Sequence, residues 1–386
     1  MHNCLISNIF PNTQLFVMKI SILIPQEYSE DNYPGFFQKY EDIYKEFCRQ
    51  GYDISITRYS ADIRSIIRLR KIDELKNVNF IWLRCPGRRI WAFIIFFALF
   101  VKQKGIILEM PNPFRLYLNI LKLQSLSSLV GFLEVLLSIA LMPILRSKLC
   151  MAIEYANESW FISKILDFKH KGCVIGNPVP TDIIKAVRLT SYLAVKTELQ
   201  LVAVANFNFW HGIDRLIEGI AQYAAEPDAT PVKLILIGEF DGTLKEKLQK
   251  EASNLSINSN IFFLGQKKEN EMLELICQSD IAIGPLAMHR IGHTVESSLK
   301  AGLYCGVGIP FISTANDPRF SENFAYRKKI PADDAPINLK EVINWYDSLD
   351  TKIISSEMHK YFQKKLKNEL ILSPVFSKLA DCYELH

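Results

Sequence analysis

No Cys-x-x-Cys pair occurs in this chain: its eight cysteines stand singly at positions 4, 48, 85, 150, 173, 277, 305 and 382. Of its seven histidines only His289 and His293 stand at His-x₃-His spacing, with no cysteine pair to complete a set, which speaks against a zinc site or a dithiol redox motif. The thiols are expected to be reduced and buried, as in a cytosolic protein. Charge of one sign is scarce as well. Lys and Arg number 45 against 41 Asp and Glu, giving a net charge of +4 and a pI near 8.5. That balance suits an anionic ligand or an anionic membrane surface, but nucleic acid would need a denser basic stripe. With 49% hydrophobic and 22% charged residues over 386 positions, wholesale disorder is not expected and two or three domains are.

The first seventeen residues lack the basic n-region and small-residue cleavage site of a secretory signal, and Met18-Lys-Ile-Ser-Ile-Leu-Ile-Pro25 reads as a first strand, so the start is Met1 or Met18. Long uninterrupted apolar runs are also missing. Ile90 to Val101 is too short to span a bilayer, and Leu126 to Leu145 contains Glu134 and Pro143. They read either as core helices or as a surface docked peripherally on the inner face of the plasma membrane. Arg84, Arg88, Arg89, Arg115 and Lys122 would help the second arrangement, and a true span is the least favoured.

What the chain has is alternation. Apolar runs near 19–25, 53–58, 79–84, 106–110, 148–154 and 173–176 predict strands, with helical patterns between them such as Gly35 to Gln50. A second round puts strands near 200–205, 232–237, 260–264, 280–284 and 309–313, and helices near 211–224, 243–254, 269–278 and 296–305. Strands that are apolar throughout and separated by helices indicate parallel sheets covered on both faces. Asn177-Pro-Val-Pro-Thr-Asp182 between the rounds is a linker. The expected fold is α/β, two doubly wound Rossmann-like domains facing one another across a cleft, over 1–176 and 177–370. A tail over 371–386 follows, its return to the first domain being one option. Ligands in such sheets sit at the carboxyl ends of strands.

The run Leu201 to Ala205 leads into Asn206-Phe-Asn-Phe-Trp-His-Gly-Ile-Asp-Arg215, and Val232 to Ile237 ends at Gly238. Ile281 to Leu286 leads into His289-Arg290, then Glu296-Ser-Ser-Leu-Lys300, then Gly308-Ile-Pro310. On these residues, with Ile175-Gly-Asn-Pro-Val179 and Ile330-Pro-Ala-Asp-Asp-Ala-Pro-Ile337 followed by a helix, the chain resembles the GT-B glycosyltransferases. The likeness is to the retaining group 1 (family 4) type of bacterial polysaccharide assembly, and it is best between about Val174 and Leu349. The first half matches in architecture only.

The resemblance implies a nucleoside-diphosphate sugar as donor and a glycan or lipid-linked acceptor, at the cytoplasmic side of the membrane. It implies donor-site roles for Asn206, His211, Gly212, Gly238, His289, Arg290, Ser297, Ser298, Leu299 and Lys300. The leaving diphosphate gains negative charge, so helix N-termini, backbone amides and cations accelerate transfer. No cofactor and no metal are implied, and no Asp-x-Asp stands at a strand end. Two departures are plain. Where the family commonly has an Arg and a Lys after the first strand of the second domain, this chain has Asn206 and His211, which leaves Lys300 as the first cation for the pyrophosphate and Arg290 as the second. Where the family often has Glu-x₇-Glu, the second position is Leu303, and Glu296 stands for the first, one residue short in spacing. Glu296 is read either beside the transferred sugar or as a helix N-terminal carboxylate. Glu109, ending an apolar strand of the first half, is read either as a catalytic base or acceptor contact or as a satisfied strand-end acid.

Rival classes lack their signatures. Gly306-Val-Gly308 precedes a strand rather than following one, unlike a dinucleotide fingerprint, and Gly238-Glu-Phe-Asp-Gly-Thr-Leu-Lys245 is no phosphate-binding P-loop. A nucleotide-sugar epimerase would need acid/base residues that are not apparent. The alternative from another class is a catalytically weak GT-B protein acting as a binding partner in an assembly complex, suggested by Leu303 and the missing Arg/Lys pair.

Overall fold

The computed structural model describes residues 18–26, 34–59, 77–84, 105–110, 140–141, 144, 147–155, 172–179 and 198–384. The apolar stretch Ile90 to Val101 and most of Leu126 to Leu145 lie outside them, as do His2, His170, Arg88, Arg89, Arg115 and Lys122. Among the described residues no helix is long and apolar enough to cross a membrane. The chain divides into two compact units, residues 1–178 with 368–386, and residues 179–367.

The first unit holds a six-stranded sheet of β1 (Lys19–Pro25), β2 (Asp53–Tyr59), β3 (Phe80–Arg84), β4 (Ile106–Met110), β5 (Leu149–Glu154) and β6 (Gly172–Val174), in spatial order β2-β1-β3-β4-β5-β6. All its pairs are parallel. Burial on both faces explains why these strands read as unbroken apolar runs: Ile22, Leu23, Trp82, Leu83 and Ile107 have no exposed surface. Helix α1 (Pro34–Arg49) buries Tyr40, Ile43 and Phe47, spaced three and four apart on one stripe, and the turn after it passes through Gly51 at φ 85°.

The second unit repeats the scheme with β7 (Leu199–Val204), β8 (Val232–Ile237), β9 (Ile261–Gly265), β10 (Ile281–Ile283), β11 (Phe311–Ser313) and β12 (Arg327–Lys329). Their order is β12-β11-β10-β7-β8-β9, again parallel throughout. Helices α2 (Ile213–Ala224), α3 (Leu244–Asn254), α4 (Glu269–Gln278), α5 (Leu299–Val307), α6 (Leu339–Asp347) and α7 (Ile354–Lys365) accompany it. Counted within the unit the order is 6-5-4-1-2-3, the doubly wound arrangement, and chain direction across the sheet reverses between β7 and β10.

Helix α8 (Asn368–Glu384) belongs to the first unit, where Phe376 packs edge-on against Phe47 of α1 at 4.8 Å between ring centroids. It also corrects the reading of the cysteines. Cys382 of α8 is disulfide-bonded to Cys150 of β5, with 6.2 Å between their Cα atoms. Cys173 and Cys305 are buried free thiols, but Cys48 is exposed and Cys277 half-exposed. A separation of 232 residues hid the pair: only the return of α8 to the first unit brings the two side chains together. Cys4 and Cys85 fall outside the described residues.

Candidate functional site

In the second unit the crevice that this topology creates lies past the carboxyl ends of β7 and β10. Two backbone bonds stitch it across: Leu286 N–H donates to the His211 carbonyl at 3.0 Å and Ala287 N–H to that of Trp210 at 3.1 Å. Such close approach requires Gly212. Its φ is 67°, and a Cβ there would meet those of Leu286 and Ala287 at 2.9 and 3.0 Å. Gly238, past β8, has φ 129°, and a Cβ would lie 1.9 Å from the Ala205 carbonyl oxygen.

After β7 comes exposed Asn206, then a short 3₁₀ turn, Phe209–His211. Asn208 opens it with a reciprocal cap. Its side chain accepts from Phe209 N–H at 3.1 Å, and its own N–H donates to Nδ1 of His211 at 2.9 Å. The turn occupies the start of the helix expected from 211, so α2 begins two residues later. His211 is buried, and its outward ring atom Nε2 lies 3.0 Å from Nζ of Lys300.

Lys300 is the second residue of α5, whose start lies three residues beyond the expected 296. Glu296 therefore stands in the loop before the helix, its N–H bound to the Asn316 carbonyl at 2.8 Å. Ser297 is buried, Ser298 is the cap residue without a side-chain cap bond, and Leu299 opens the helix. Among the described residues the Glu296 carboxylate takes part in no hydrogen bond, and His211 Nε2 is the one hydrogen-bond contact of Lys300 Nζ. Burial pushes Glu296 up to about 7, the field of Lys300 offsetting part of the rise, and Asp317 adds to it. Burial brings Lys300 down to about 8 against the pull of Glu296. His211 is held well below its ordinary value by burial and then by Lys300.

Arg290 is differently placed. It lies on a 3₁₀ turn after β10 and donates to both carboxylate oxygens of Asp214, at 3.0 and 2.7 Å, to Asp334 at 2.7 Å and to the Phe209 carbonyl at 2.8 Å. His289 Nε2 is 3.1 Å from the same Asp334 oxygen. Buried Arg215 binds the carbonyls of Leu286, Ala335 and Pro331 and the carboxylate of Asp333. The two arginines thus fix the 331–335 loop against the turn after β7. Sequence reasoning missed this bracing, although Asp214, Arg215, Asp333 and Asp334 all stood inside the quoted motifs. Leu303, at the position of the second family Glu, is buried in α5.

Glu109 belongs to the first unit. It ends β4 with no exposed surface and is saturated. It accepts from Trp82 Nε1 at 2.7 Å, Tyr40 at 2.8 and 3.0 Å, Arg84 at 2.5 Å and Lys39 at 3.2 Å. Burial alone would raise its pKa; Lys39 and Arg84, then the bonds from Trp82 and Tyr40, outweigh it and bring the carboxyl down to about 2. This is the geometry of a satisfied strand-end acid. Lys39 completes the knot, resting 3.5 Å over the Tyr155 ring and donating to Asn177 at 2.9 Å.

Comparison with known proteins agrees with this topology. Residues 190–316 match the family model described as Glycosyl transferases group 1. No curated protein matches the sequence. Among solved structures, the glycosyltransferase from Rickettsia africae ESF-5 shares 12% identity over 96% of this chain and 100% of that one, with a TM-score of 0.63. Alr3699/HepE from Anabaena, in complex with UDP-glucose, shares 14% over 94% and 100%, with a TM-score of 0.62. The α,α-trehalose 6-phosphate synthase from Burkholderia multivorans shares 13% over 96% and 99%, with a TM-score of 0.63. At these identities the likeness is one of fold. The family match lies on the residues that form the switch-point site, so this stretch of the second unit is similar to the group 1 glycosyl transferases, and the chain as a whole shares the fold of the solved glycosyltransferases.

Proposed function

We propose that this protein transfers a sugar, with retention of configuration, from a nucleoside-diphosphate sugar to a lipid-linked or growing glycan in cell-surface polysaccharide synthesis. The observation that carries the reading is the grouping of Lys300, His211 and Glu296 past the switch point of the second sheet. Lys300 has no carboxylate hydrogen-bonded to it among the described residues, unlike Arg290, so it meets the β-phosphate as the glycosidic bond breaks. Glu296, lacking a hydrogen-bonded partner for its carboxylate among the described residues, faces the transferred sugar. The start of α5 has no side-chain cap bond, which leaves its first backbone N–H groups available to an anion. These groups neutralise the leaving diphosphate without a metal. UDP-glucose bound to Alr3699/HepE supports a nucleotide-sugar donor. Peripheral contact with the inner membrane face rests on the basic, apolar first half of the sequence.

The test is turnover of a panel of nucleoside-diphosphate sugars in the presence of EDTA, alongside thermal-shift binding of the corresponding diphosphates. Lys300→Ala is expected to lower turnover at least about tenfold with the melting temperature of the free protein unchanged. An unchanged rate removes Lys300 from the site. The second reading, a binding partner without turnover, is favoured by the full engagement of Arg290 with Asp214 and Asp334 and by buried Leu303 at a carboxylate position. A diphosphate that raises the melting temperature while no donor is turned over would decide for it.

A further inference from the structure

The contact between His211 and Lys300 has a consequence for proton balance, which rests on the nucleotide-binding reading above. A neutral imidazole has one N–H and one lone pair. Here the lone pair is assigned by the backbone: Nδ1 accepts from Asn208 N–H at 2.9 Å, so the ring proton sits on Nε2. At 3.0 Å from that N–H lies Lys300 Nζ, and an ammonium has only donors. Two donors cannot satisfy each other. The arrangement is a good hydrogen bond when Lys300 is a neutral amine whose lone pair accepts from Nε2–H. Moving the ring proton to Nδ1 would let an ammonium donate, but it would set that proton against Asn208 N–H inside a buried cap.

The geometry points to Lys300 as a lysine that His211 holds neutral in the empty protein and that takes one proton from solvent when a diphosphate binds. The amine becomes an ammonium and turns to the phosphate oxygens, no covalent bond changes, and the released Nε2–H is left as a second donor to the ligand. His211 is thus a positioning residue that acts through Lys300. Among the described residues the charged groups facing the pair are few. From the loop before α5 comes Glu296, whose negative charge favours the ammonium, and Asp317, Arg319 and Arg327 stand around Glu296 in turn. Burial works against the ammonium, in the same direction as the hydrogen-bond geometry.

The experiment is calorimetric titration of UDP and of GDP into the full chain at about pH 8.5, where a terminal phosphate with a pKa near 6 is already ionised. Buffers of different ionisation heat report the protons exchanged. About 0.5 to 1 proton taken up per nucleotide is expected in the wild type, and none in Lys300→Arg, whose guanidinium is charged throughout. If Lys300→Arg does not bind, His211→Asn replaces it: the amide oxygen accepts from an ammonium, and uptake should fall to below about half. Glu296→Gln should keep the uptake, and its loss there would assign the proton to Glu296 and overturn the inference. Binding without uptake in the wild type, or uptake undiminished in both Lys300→Arg and His211→Asn, overturns it too while leaving nucleotide binding intact. No heat with either nucleotide on folded protein removes the donor-site reading and this inference together.

Discussion

At the residue scale, two glutamates of opposite character show how placement governs chemistry. Glu109 has its negative charge matched by Lys39 and Arg84 and its lone pairs filled, so its folded pKa lies below the ordinary 4.5. Its contribution to stability is present above about 4.5 and is lost as pH falls toward about 2. Glu109→Gln leaves buried Arg84 uncompensated, and Lys39, which burial already brings down to about 7, loses the negative charge that favours its ammonium. The substitution should cost about 3–5 kcal/mol, read as a lowered denaturant midpoint at neutral pH. Glu296 is the reverse case. Its folded pKa of about 7 lies above 4.5, so the native state favours the protonated form and pays increasingly for the charged one as pH rises from about 4.5 through about 7. Glu296→Gln should therefore gain melting temperature relative to the wild type over that interval, with no gain below it. A difference independent of pH would mean that the carboxyl is not raised by burial.

Helices and strands differ in how much of themselves they wrote into the sequence. Parallel strands covered on both faces, such as Val232–Ile237 and Ile106–Met110, show as unbroken apolar runs and were legible to within a residue or so. β12 was not, because Arg327–Lys329 is a polar edge strand with no apolar signal. The starts of α2 and α5 were placed early for one reason: polar residues just before a helix carry the same composition as its first turn. Only the structure shows that Asn208 and His211 cap each other and that Glu296 stays in the loop. The candidate residues themselves were legible from motifs, whereas their partnerships were not. His211 and Lys300 are 89 residues apart, Arg290 and Asp214 76, and Lys39 and Glu109 70. At this scale the turn after β7 is the sensitive element. Gly212→Ala adds a left-handed penalty of about 1–2 kcal/mol and a methyl against Leu286 and Ala287. It should lower the denaturant midpoint and weaken diphosphate affinity together, and affinity retained at full strength would show that the stitch between β7 and β10 does not shape the site.

Across the whole molecule, the backbone leaves the first unit near 178, builds all of the second, and comes home near 368 to be locked to β5 by Cys150–Cys382. The second unit is thus a domain threaded on a covalent ring rather than the far end of a string. A protease that cuts once anywhere between these cysteines opens the ring without releasing a piece. On a denaturing gel such nicked protein should run as a single species near 44.3 kDa until a reductant is added, and only then separate into two.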